Sequence, residues 1–194
     1  MSKIKTNKEQ KRILILKSAQ ELFLTEGYIQ TSMDSIASKA QVTKQTVYRY
    51  FTSKEELFEA TLDVCREQPH EDFFEHLDNP DTREALLNFA VDFIQVHLTK
   101  EHLAIMRLLI AESDKAPELT RTFFAFGPGE TDQKLDAFFK ERFQVKESGN
   151  IVRIWTGMLL SLRTSVLMGL SPPTEKEIRE YAEQATDFFL KSME

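Results

Sequence analysis

Side chains that can bind nucleic acid lie close together between residues 44 and 49. Gln45 and Arg49 can form bidentate hydrogen bonds with base edges in the major groove of DNA. Lys44, Thr46 and Tyr48 can bind phosphate oxygens, and Tyr48 can also lie beside a base. With helical spacing these side chains cover one face, which predicts a short helix that reads DNA. Its opposite face carries one aliphatic and two aromatic residues, namely Val47, Tyr50 and Phe51.

An apolar stripe before this helix predicts a second short helix that supports it. Met33, Ile36, Ala37 and Ala40 recur at i, i+3, i+4 and i+7, which is the spacing of one helical face. Thr43 can then accept the first free N–H groups of the reading helix, as an N-cap residue does. Two short helices joined by a tight turn, with the polar face on the second, predict a helix-turn-helix.

Residues on both sides of the motif extend the predicted DNA contact. We expect Thr31 and Asp34 to cap the supporting helix, where backbone N–H groups and the hydroxyls of Thr31 and Ser32 can hold a phosphate. Lys54 begins the next helix and can reach another phosphate. The predicted DNA-binding residues are therefore Thr31, Ser32, Thr43, Lys44, Gln45, Thr46, Tyr48, Arg49, Tyr50 and Lys54.

The segment 31–51 resembles the DNA-binding motif of the TetR (tetracycline repressor) family of bacterial transcriptional regulators, and the resemblance covers roughly the first sixty residues. Gln41 and Gln45 depart from the pattern, because the family commonly has Gly at both positions. A residue other than Gly in a left-handed turn costs on the order of 1 kcal/mol, so we expect strain at Gln41. The resemblance rests on Thr31, Ile36, Ala37, Val42, Thr43, Thr46, Tyr48, Tyr50, Phe51, the run SKEEL at 53–57, and the run ILKSAQELFLTEGY at 15–28.

The helical patterns along the chain predict an all-α protein of about nine helices, and the resemblance implies its division into two domains. Residues 1–55 would form a three-helix DNA-binding domain, and residues 56–194 a helical ligand-binding and dimerisation domain. It also implies a homodimer, built by pairing the last two long helices with those of a partner, that releases DNA when a small molecule binds. Two-fold symmetry would place the reading helices about 34–36 Å apart, or somewhat more, on a near-palindromic operator.

Charge is distributed unevenly along the chain, whose net charge is −6. Residues 1–55 hold ten Lys or Arg against five Asp or Glu, a balance of +5, whereas the remainder holds fifteen against twenty-six, a balance of −11. A basic N-terminal region beside an acidic remainder fits a local DNA footprint. A solvated charged surface is the alternative interpretation.

The sequence gives no indication of secretion or of a membrane segment. Cys65 is the only cysteine, so no internal disulfide can form, and the polar N-terminus lacks the apolar stretch of a signal peptide. The most apolar stretch, 151–170, contains Arg153 and Arg163, which are costly in the middle of a bilayer. We therefore expect a cytoplasmic protein without a membrane partner.

Several capping residues divide the chain into helices. Gly27 is expected to end the first helix, Asp81 and Pro117 to begin later ones, and Thr174 with Glu177 to cap the last. The stretch 68–81 contains two prolines and predicts a loop or a broken helix. The stretch 127–129 also contains a proline and predicts that the helix around it is kinked or in two pieces.

The last two predicted helices carry patterns that favour helix pairing. The first of them runs from 148 to 168 and has small residues every four positions, which let another helix approach closely. The second has an apolar stripe. The small residues are Gly157, Ser161, Ser165 and Gly169, and the stripe is Ile178, Tyr181, Ala182, Ala185, Phe188 and Phe189.

Thirteen of the fifteen phenylalanines lie beyond residue 55, so the C-terminal region has either an apolar cavity or an ordinary aromatic core. His97, Arg107, Trp155 and Arg163 interrupt apolar runs and can orient a ligand, although Arg163 could instead form an ion pair at the dimer interface. An acidic, aromatic domain suits a cationic or lipophilic effector. The predicted ligand-binding residues are Phe93, His97, Met106, Arg107, Ile110, Phe123, Phe126, Trp155, Met158, Leu159 and Arg163.

Metal binding and catalysis find little support in the sequence. His70, His76, His97 and His102 show no spacing that places two of them on one helical face, so we expect no metal and no cofactor. No nucleophile and base stand in a recognisable arrangement, and we expect no enzymatic activity. The alternatives to a ligand-responsive repressor are a helical ligand carrier that does not use DNA, an activator, and a regulator without an effector.

Overall fold

The computed structural model describes residues 3–66, 72–126 and 128–193, and side chains from Asn7 onward except those of residues 63–66, 72 and 126. Within these ranges the chain is all-helical, as predicted, with eleven α-helices and one 3₁₀ helix. The sequence predicts about nine, and the difference arises because two predicted helices are each divided. The α-helices are α1 Lys3–Glu26, α2 Met33–Lys39, α3 Lys44–Tyr50, α4 Lys54–Arg66, α5 Thr82–His97, α6 Lys100–Glu112, α7 Pro117–Phe126, α8 Pro128–Phe143, α9 Gly149–Leu159, α10 Ser161–Leu167 and α11 Glu175–Ser192, and the 3₁₀ helix is Asp72–Asp78.

The chain forms two compact units. The first unit contains Met1–Glu67 and Ala104–Phe123, and the second contains Gln68–Leu103 and Phe124–Glu194. Helix α6 contributes residues to both. The functional division expected between residues 55 and 56 stays a prediction.

Three aromatic rings form the centre of the first unit. The ring centroids of Phe23, in the last turn of α1, and of Tyr28, just after α1, lie 5.3 Å apart. They lie 5.7 Å and 5.6 Å from the ring centroid of Phe58 on α4. Each of the three is at most 2% exposed. The apolar stripe predicted for α2 is confirmed, since Met33, Ile36, Ala37 and Ala40 all belong to this core. Helices α1, α2 and α4 are thus packed around one apolar centre that supports the helix-turn-helix.

The second unit has an aromatic core. Trp155 on α9 is completely buried and lies 5.4 Å from Phe89, 5.7 Å from Phe139 and 5.7 Å from Phe189, measured between ring centroids. These distances are typical of packed aromatic pairs. The rings of Phe89, Phe139, Trp155 and Phe189 therefore pack on one another as an ordinary aromatic core does.

Most predicted helix ends are confirmed. Asp81 caps α5 by accepting a hydrogen bond from the Glu84 N–H, and Thr174 forms a capping box with Glu177 at the start of α11. Pro117 is the first residue of α7, and Gly27 follows α1 with a φ of +88°. The described part of 68–81 contains a 3₁₀ helix, while residues 67–71 and Gly127 lie outside the described residues.

The single helix expected over 148–168 is wrong, because the structure divides it at Leu160 into α9 and α10. The Tyr181 hydroxyl of α11 donates to the Met158 carbonyl at 2.7 Å, and its oxygen lies 2.7 Å from the Ser161 hydroxyl. The Tyr181 hydroxyl thus satisfies the Met158 carbonyl, which in a continuous helix would accept a hydrogen bond from a backbone N–H. The division therefore depends on a tertiary contact that helical periodicity does not reveal.

Helices α9 to α11 leave apolar side chains exposed in the single chain. Ile154 is 63% exposed, Met168 76%, Leu170 64% and Phe188 68%. Phe188 belongs to the apolar stripe predicted for the last helix, and the pairing of that stripe with another helix stays a prediction. Helices long and apolar enough to cross a bilayer do not occur among those described.

Candidate nucleic-acid interface and ligand site

Helix α3 presents the polar face that the sequence predicts. Lys44, Gln45, Tyr48 and Arg49 are exposed, and Tyr48 has 43% of its surface accessible. On the opposite face, Val47 is completely buried. The buried residue fixes α3 against the core of the first unit, so the four polar side chains project into solvent as a group.

The turn between α2 and α3 is a Schellman motif. The N–H of Val42 donates to the Ala37 carbonyl, and the N–H of Gln41 donates to the Ser38 carbonyl. Gln41 occupies the left-handed position with a φ of +53°, as the departure from Gly suggested. Because L residues with side chains adopt this conformation at a cost, the turn stores strain at Gln41.

Replacing Gln41 with Gly should therefore stabilise the first unit by about 0.5–1 kcal/mol, which is the relief of left-handed strain less the greater entropy of an unfolded glycine. Urea unfolding followed by far-UV circular dichroism measures the change. Gln45→Gly is the matched control, because Gln45 lies inside α3 and a glycine there should destabilise by about 0.5–1 kcal/mol. Equal effects of the two substitutions would contradict the assignment of strain to the turn.

The N-cap predicted for α3 is confirmed. The Thr43 hydroxyl accepts a hydrogen bond from the Thr46 N–H at 3.2 Å, and the two hydroxyl oxygens lie 2.9 Å apart. The exposed Thr43 and the half-buried Thr46 thus form the start of the reading helix. Their role as DNA contacts stays a prediction.

The cap predicted for α2 is wrong, because Ser32 and not Thr31 is the N-cap residue. The Ser32 hydroxyl accepts from the Ser35 N–H, and Ser35 Oγ accepts from the Ser32 N–H, so the two serines form a capping box. Thr31 is 1% exposed and donates its hydroxyl to the Gly27 carbonyl at 2.8 Å. Exposed Ser32 is therefore better placed for phosphate than Thr31, whose side chain holds the turn after α1.

Two of the predicted basic contacts already have protein partners. Lys44 forms a 2.7 Å ion pair with Asp34, and that hydrogen bond raises the pKa of Lys44. Lys54 donates from Nζ to the carbonyls of Tyr28 and Thr31, each at 3.0 Å, and its ammonium lies 4.3 Å from the centre of the Tyr28 ring. Lys54 thus fastens α4 to the turn between α1 and α2, and its contact with phosphate stays a prediction.

Tyr50 connects the reading helix to α1. Its hydroxyl donates to the Lys8 carbonyl at 3.0 Å, and the side chain is half-buried. This hydrogen bond fixes the end of α3. Tyr50 therefore has a structural role in addition to its predicted proximity to the DNA backbone.

The structure divides the predicted ligand-binding residues between the two units. In the first unit, Met106 and Phe123 pack partly buried on the core, Arg107 is exposed and Ile110 is 60% exposed. The side chain of Phe126 lies outside the described residues. The second unit contains the remaining six, which are Phe93, His97, Trp155, Met158, Leu159 and Arg163.

Arg163 lies in a polar cluster with two histidines. Its Nη1 donates to His102 Nε2 at 3.3 Å, and the His102 ring lies 4.5 Å from the His97 ring. His97 Nδ1 lies 2.6 Å from the Phe93 carbonyl, so this nitrogen carries the proton. Burial, and then the positive charge of Arg163, lower the pKa of His97 to about 4. Burial and the charges of His97 and Arg163 lower the pKa of His102 to about 2.

His102 was not among the predicted ligand-binding residues. Helical spacing relates only histidines that share one helix, whereas His97 ends α5 and His102 belongs to the first turn of α6. The short connection between these helices brings the two rings together. The sequence signal that could have identified His102 is the presence of two histidines on either side of a predicted helix end. Groups of three or more potential metal-ligating side chains do not occur in the described parts of the chain.

Two family models match the chain. Residues 15–61 match bacterial regulatory proteins of the tetR family, and residues 84–147 match the C-terminal domain of AefR-like transcriptional repressors. The flavonoid-responsive regulator FrrA is a structural relative with 30% sequence identity and a TM-score of 0.79, over 95% of this chain and 97% of that chain. A TetR-family regulator from Mesorhizobium loti has 25% identity and a TM-score of 0.76, over 99% of this chain and 98% of that chain.

Curated relatives match over shorter regions. The transcriptional activator FasR of Mycolicibacterium smegmatis is 40% identical over 28% of this chain and 25% of its own length. The transcriptional repressor TetR of Mycobacteroides abscessus is 38% identical over 29% of this chain and 30% of its own length. The regulator SrpR of Pseudomonas putida is 32% identical over 50% of this chain and 46% of its own length. The chain thus spans less than half the length of each of these relatives, and they include both an activator and a repressor.

Proposed function

This chain belongs to the TetR family of DNA-binding transcriptional regulators, and we propose that it is a repressor that leaves its operator when a small, largely apolar molecule binds. The observation that carries the proposal is the exposed face of α3, where Lys44, Gln45, Tyr48 and Arg49 project from a helix fixed by buried Val47. A helix of this kind suits the major groove. The match to an AefR-like repressor domain supports repression over activation. We expect the protein to act in the cytoplasm, where bacterial DNA lies.

We propose that the protein binds DNA as a homodimer through its last helices. Ile154, Met168, Leu170 and Phe188 expose apolar surface on and beside α9 to α11. A Cβ atom at either Gly157 or Gly169 would meet nothing within 4 Å in the single chain, so there is space for a second helix to approach there. Isologous pairing of this surface would bury it and place two reading helices on a near-palindromic site.

Selection of a randomised duplex DNA pool by the purified protein, at one moderate salt concentration, tests operator binding. Sequencing of the bound fraction should reveal a near-palindrome with half-sites about one helical turn apart or somewhat more. A bound fraction without any enriched sequence would contradict the proposal of a specific operator.

Alanine substitution of Tyr48 or Arg49 should weaken binding to the selected operator roughly tenfold each, because each removes a side chain expected near the bases. Fluorescence anisotropy with labelled duplex measures the dissociation constants. Lys17→Ala is the control, since Lys17 is an exposed basic residue of α1 outside the motif. Operator affinity that survives both substitutions would mean that α3 is not the reading helix.

For the effector, we propose binding in the second unit and transmission through α6 and α4. Helix α6 carries His102 near its start and Glu112 at its end, which belong to different units. A coupling free energy of about 1–3 kcal/mol between effector and operator would give a usable switch. Because FrrA is named as flavonoid-responsive, flavonoids are the first compounds to test for release of labelled operator, followed by apolar acids.

A further inference from the structure

Arg163 is a partly buried cation on α10. Among the residues that the structure describes, no carboxylate forms an ion pair with it, and burial is the single cause that lowers the pKa of Arg163. Its guanidinium donates a hydrogen bond to His102 at 3.3 Å. A guanidinium has five N–H donors in a planar fork, so this contact uses only a small part of its binding capacity.

The histidines next to Arg163 do not compensate its charge. Since His97 has a pKa of about 4 and His102 of about 2, both rings are neutral near pH 7. In each ring, hydrogen bonding defines one nitrogen: Nδ1 of His97 donates to the Phe93 carbonyl, and Nε2 of His102 accepts from Arg163. The cluster therefore carries one positive charge beside two neutral rings.

Aromatic rings pack against the His97 side of this cluster. The Phe93 ring lies 4.0 Å from the His97 ring and 5.3 Å from the Phe89 ring, which in turn stacks on Trp155. Trp155 is completely buried, and its indole N–H has no acceptor among the described residues. Partly buried apolar side chains adjoin the cluster in sequence, namely Leu98 after His97 and Leu162 before Arg163. The apolar side chains next to His97 would thus suit the hydrocarbon part of a small molecule.

We propose that Arg163, held by His102 and His97, binds the carboxylate of an otherwise apolar effector. This inference rests on the proposed function, and it narrows the effector to an organic acid. A carboxylate matches the planar guanidinium in a bidentate pair and would neutralise a charge that the described chain leaves uncompensated. Because Nδ1 of neutral His97 carries the proton, its Nε2 is an acceptor and can receive a hydrogen bond from a hydroxyl of such an acid. The cationic effector that an acidic domain suggested is disfavoured at this position, because it would meet Arg163.

Pairs of ligands that differ only in charge test this inference with the full-length protein. We would titrate benzoate against benzamide and octanoate against octanamide at neutral pH, up to millimolar concentration. Isothermal calorimetry and the emission of Trp155, the only tryptophan, report binding. The benzoate pair tests an aromatic acid as the effector, and the octanoate pair tests an aliphatic acid. We expect at least one acid to bind the wild-type protein about tenfold or more tightly than its amide.

Variants at Arg163 separate ligand recognition from a structural role. Arg163→Met and Arg163→Gln should bind the acid and the amide equally, whereas Arg163→Lys should keep part of the preference because it keeps the charge. Arg153→Met is the matched control, since Arg153 is an exposed arginine on neighbouring α9, and it should behave as the wild type does. Near-UV circular dichroism establishes that each variant is folded. If Arg163→Met and Arg163→Gln do not fold, the partial loss of acid preference in Arg163→Lys tests the inference.

The outcomes are distinct. Equal binding of acids and amides by the wild type, including no binding of either, overturns the inference, as does an acid preference that survives in Arg163→Met. If Arg163 instead pairs with a carboxylate of the second subunit, Arg163→Met will weaken the dimer in sedimentation experiments and the wild type will not prefer acids. Failure of the proposed function appears separately, as the absence of an enriched operator in the DNA selection, which uses no ligand.

Discussion

Lowering the pH from about 7 to about 5 should destabilise the second unit by about 2–4 kcal/mol, and replacing His97 and His102 should remove most of this loss. An unfolded histidine binds a proton below about pH 6.5. In the folded protein the pKa of His97 is about 4 and that of His102 about 2, mainly because of burial. The unfolded state therefore binds more protons in this window, and stability falls as the pH falls through 6.5. Each histidine contributes at most about 1.4 kcal/mol per pH unit, less some screening because both rings are only partly buried.

Urea unfolding followed by Trp155 emission measures the effect, because Trp155 belongs to the same unit. The double variant His97→Gln, His102→Gln should have a nearly flat profile between these pH values. His76→Gln is the control, since His76 contacts Asp92 at 2.7 Å in the same unit and lies outside the cluster. A wild-type profile that is flat over this range would show that the two rings take up protons freely in the folded state.

Carboxylates whose pKa is lowered in the folded protein lose their stabilising contribution below this window. Hydrogen bonds with Lys140 and Ser148 lower the pKa of Asp136, and hydrogen bonds with Thr174 lower the pKa of Glu177. A carboxylate with a lowered pKa stabilises the folded state above its unfolded pKa, near 4, and loses this contribution only as the pH falls further. Asp136 and Glu177 therefore do not account for acid sensitivity between pH 7 and 5, and the double histidine variant measures the share of His97 and His102.

The helix-turn-helix could be predicted because its determinants are local. Apolar spacing in α2, the cap at Thr43 and the departure from Gly at Gln41 each depend on residues within a few positions of one another, and each is observed. The cap at Ser32 was missed, because Thr31 and Ser32 are both good capping residues. Only the contact of Thr31 with the Gly27 carbonyl decides between them.

The cluster of His97, His102 and Arg163 could be predicted only in part, because its contacts join residues far apart in sequence. His97 and Arg163 stood out as polar residues in apolar runs, but the partner of Arg163 is His102, sixty-one positions away. The break at Leu160 likewise depends on Tyr181 of another helix. Periodicity describes which face of a helix is apolar, and it does not identify the side chain that meets a particular carbonyl or guanidinium.

Gly27 joins the end of α1 to the start of α2, and its position makes it sensitive to any side chain. Its φ of +88° is in the left-handed region, and its carbonyl accepts hydrogen bonds from the N–H and the hydroxyl of Thr31. A Cβ atom at this position would lie 2.7 Å from Glu112 Oε1. Glu112 is 8% exposed, and its other carboxylate oxygen has no hydrogen-bond partner among the described residues. The carboxylate thus packs directly on the glycine.

Gly27→Ala should destabilise the first unit by about 2–3 kcal/mol, roughly 1 kcal/mol from the left-handed backbone and the rest from displacing a buried carboxylate. The double variant Gly27→Ala, Glu112→Ala should recover the steric part and retain about 1 kcal/mol. Urea unfolding followed by far-UV circular dichroism gives these free energies. If Gly27→Ala costs no more than about 1 kcal/mol, Glu112 moves aside freely and does not strain the turn that positions α2. If the predicted difference is found, the end of α6 bears on the DNA-binding helices through this one contact, and operator affinity should fall in Gly27→Ala and return in the double variant.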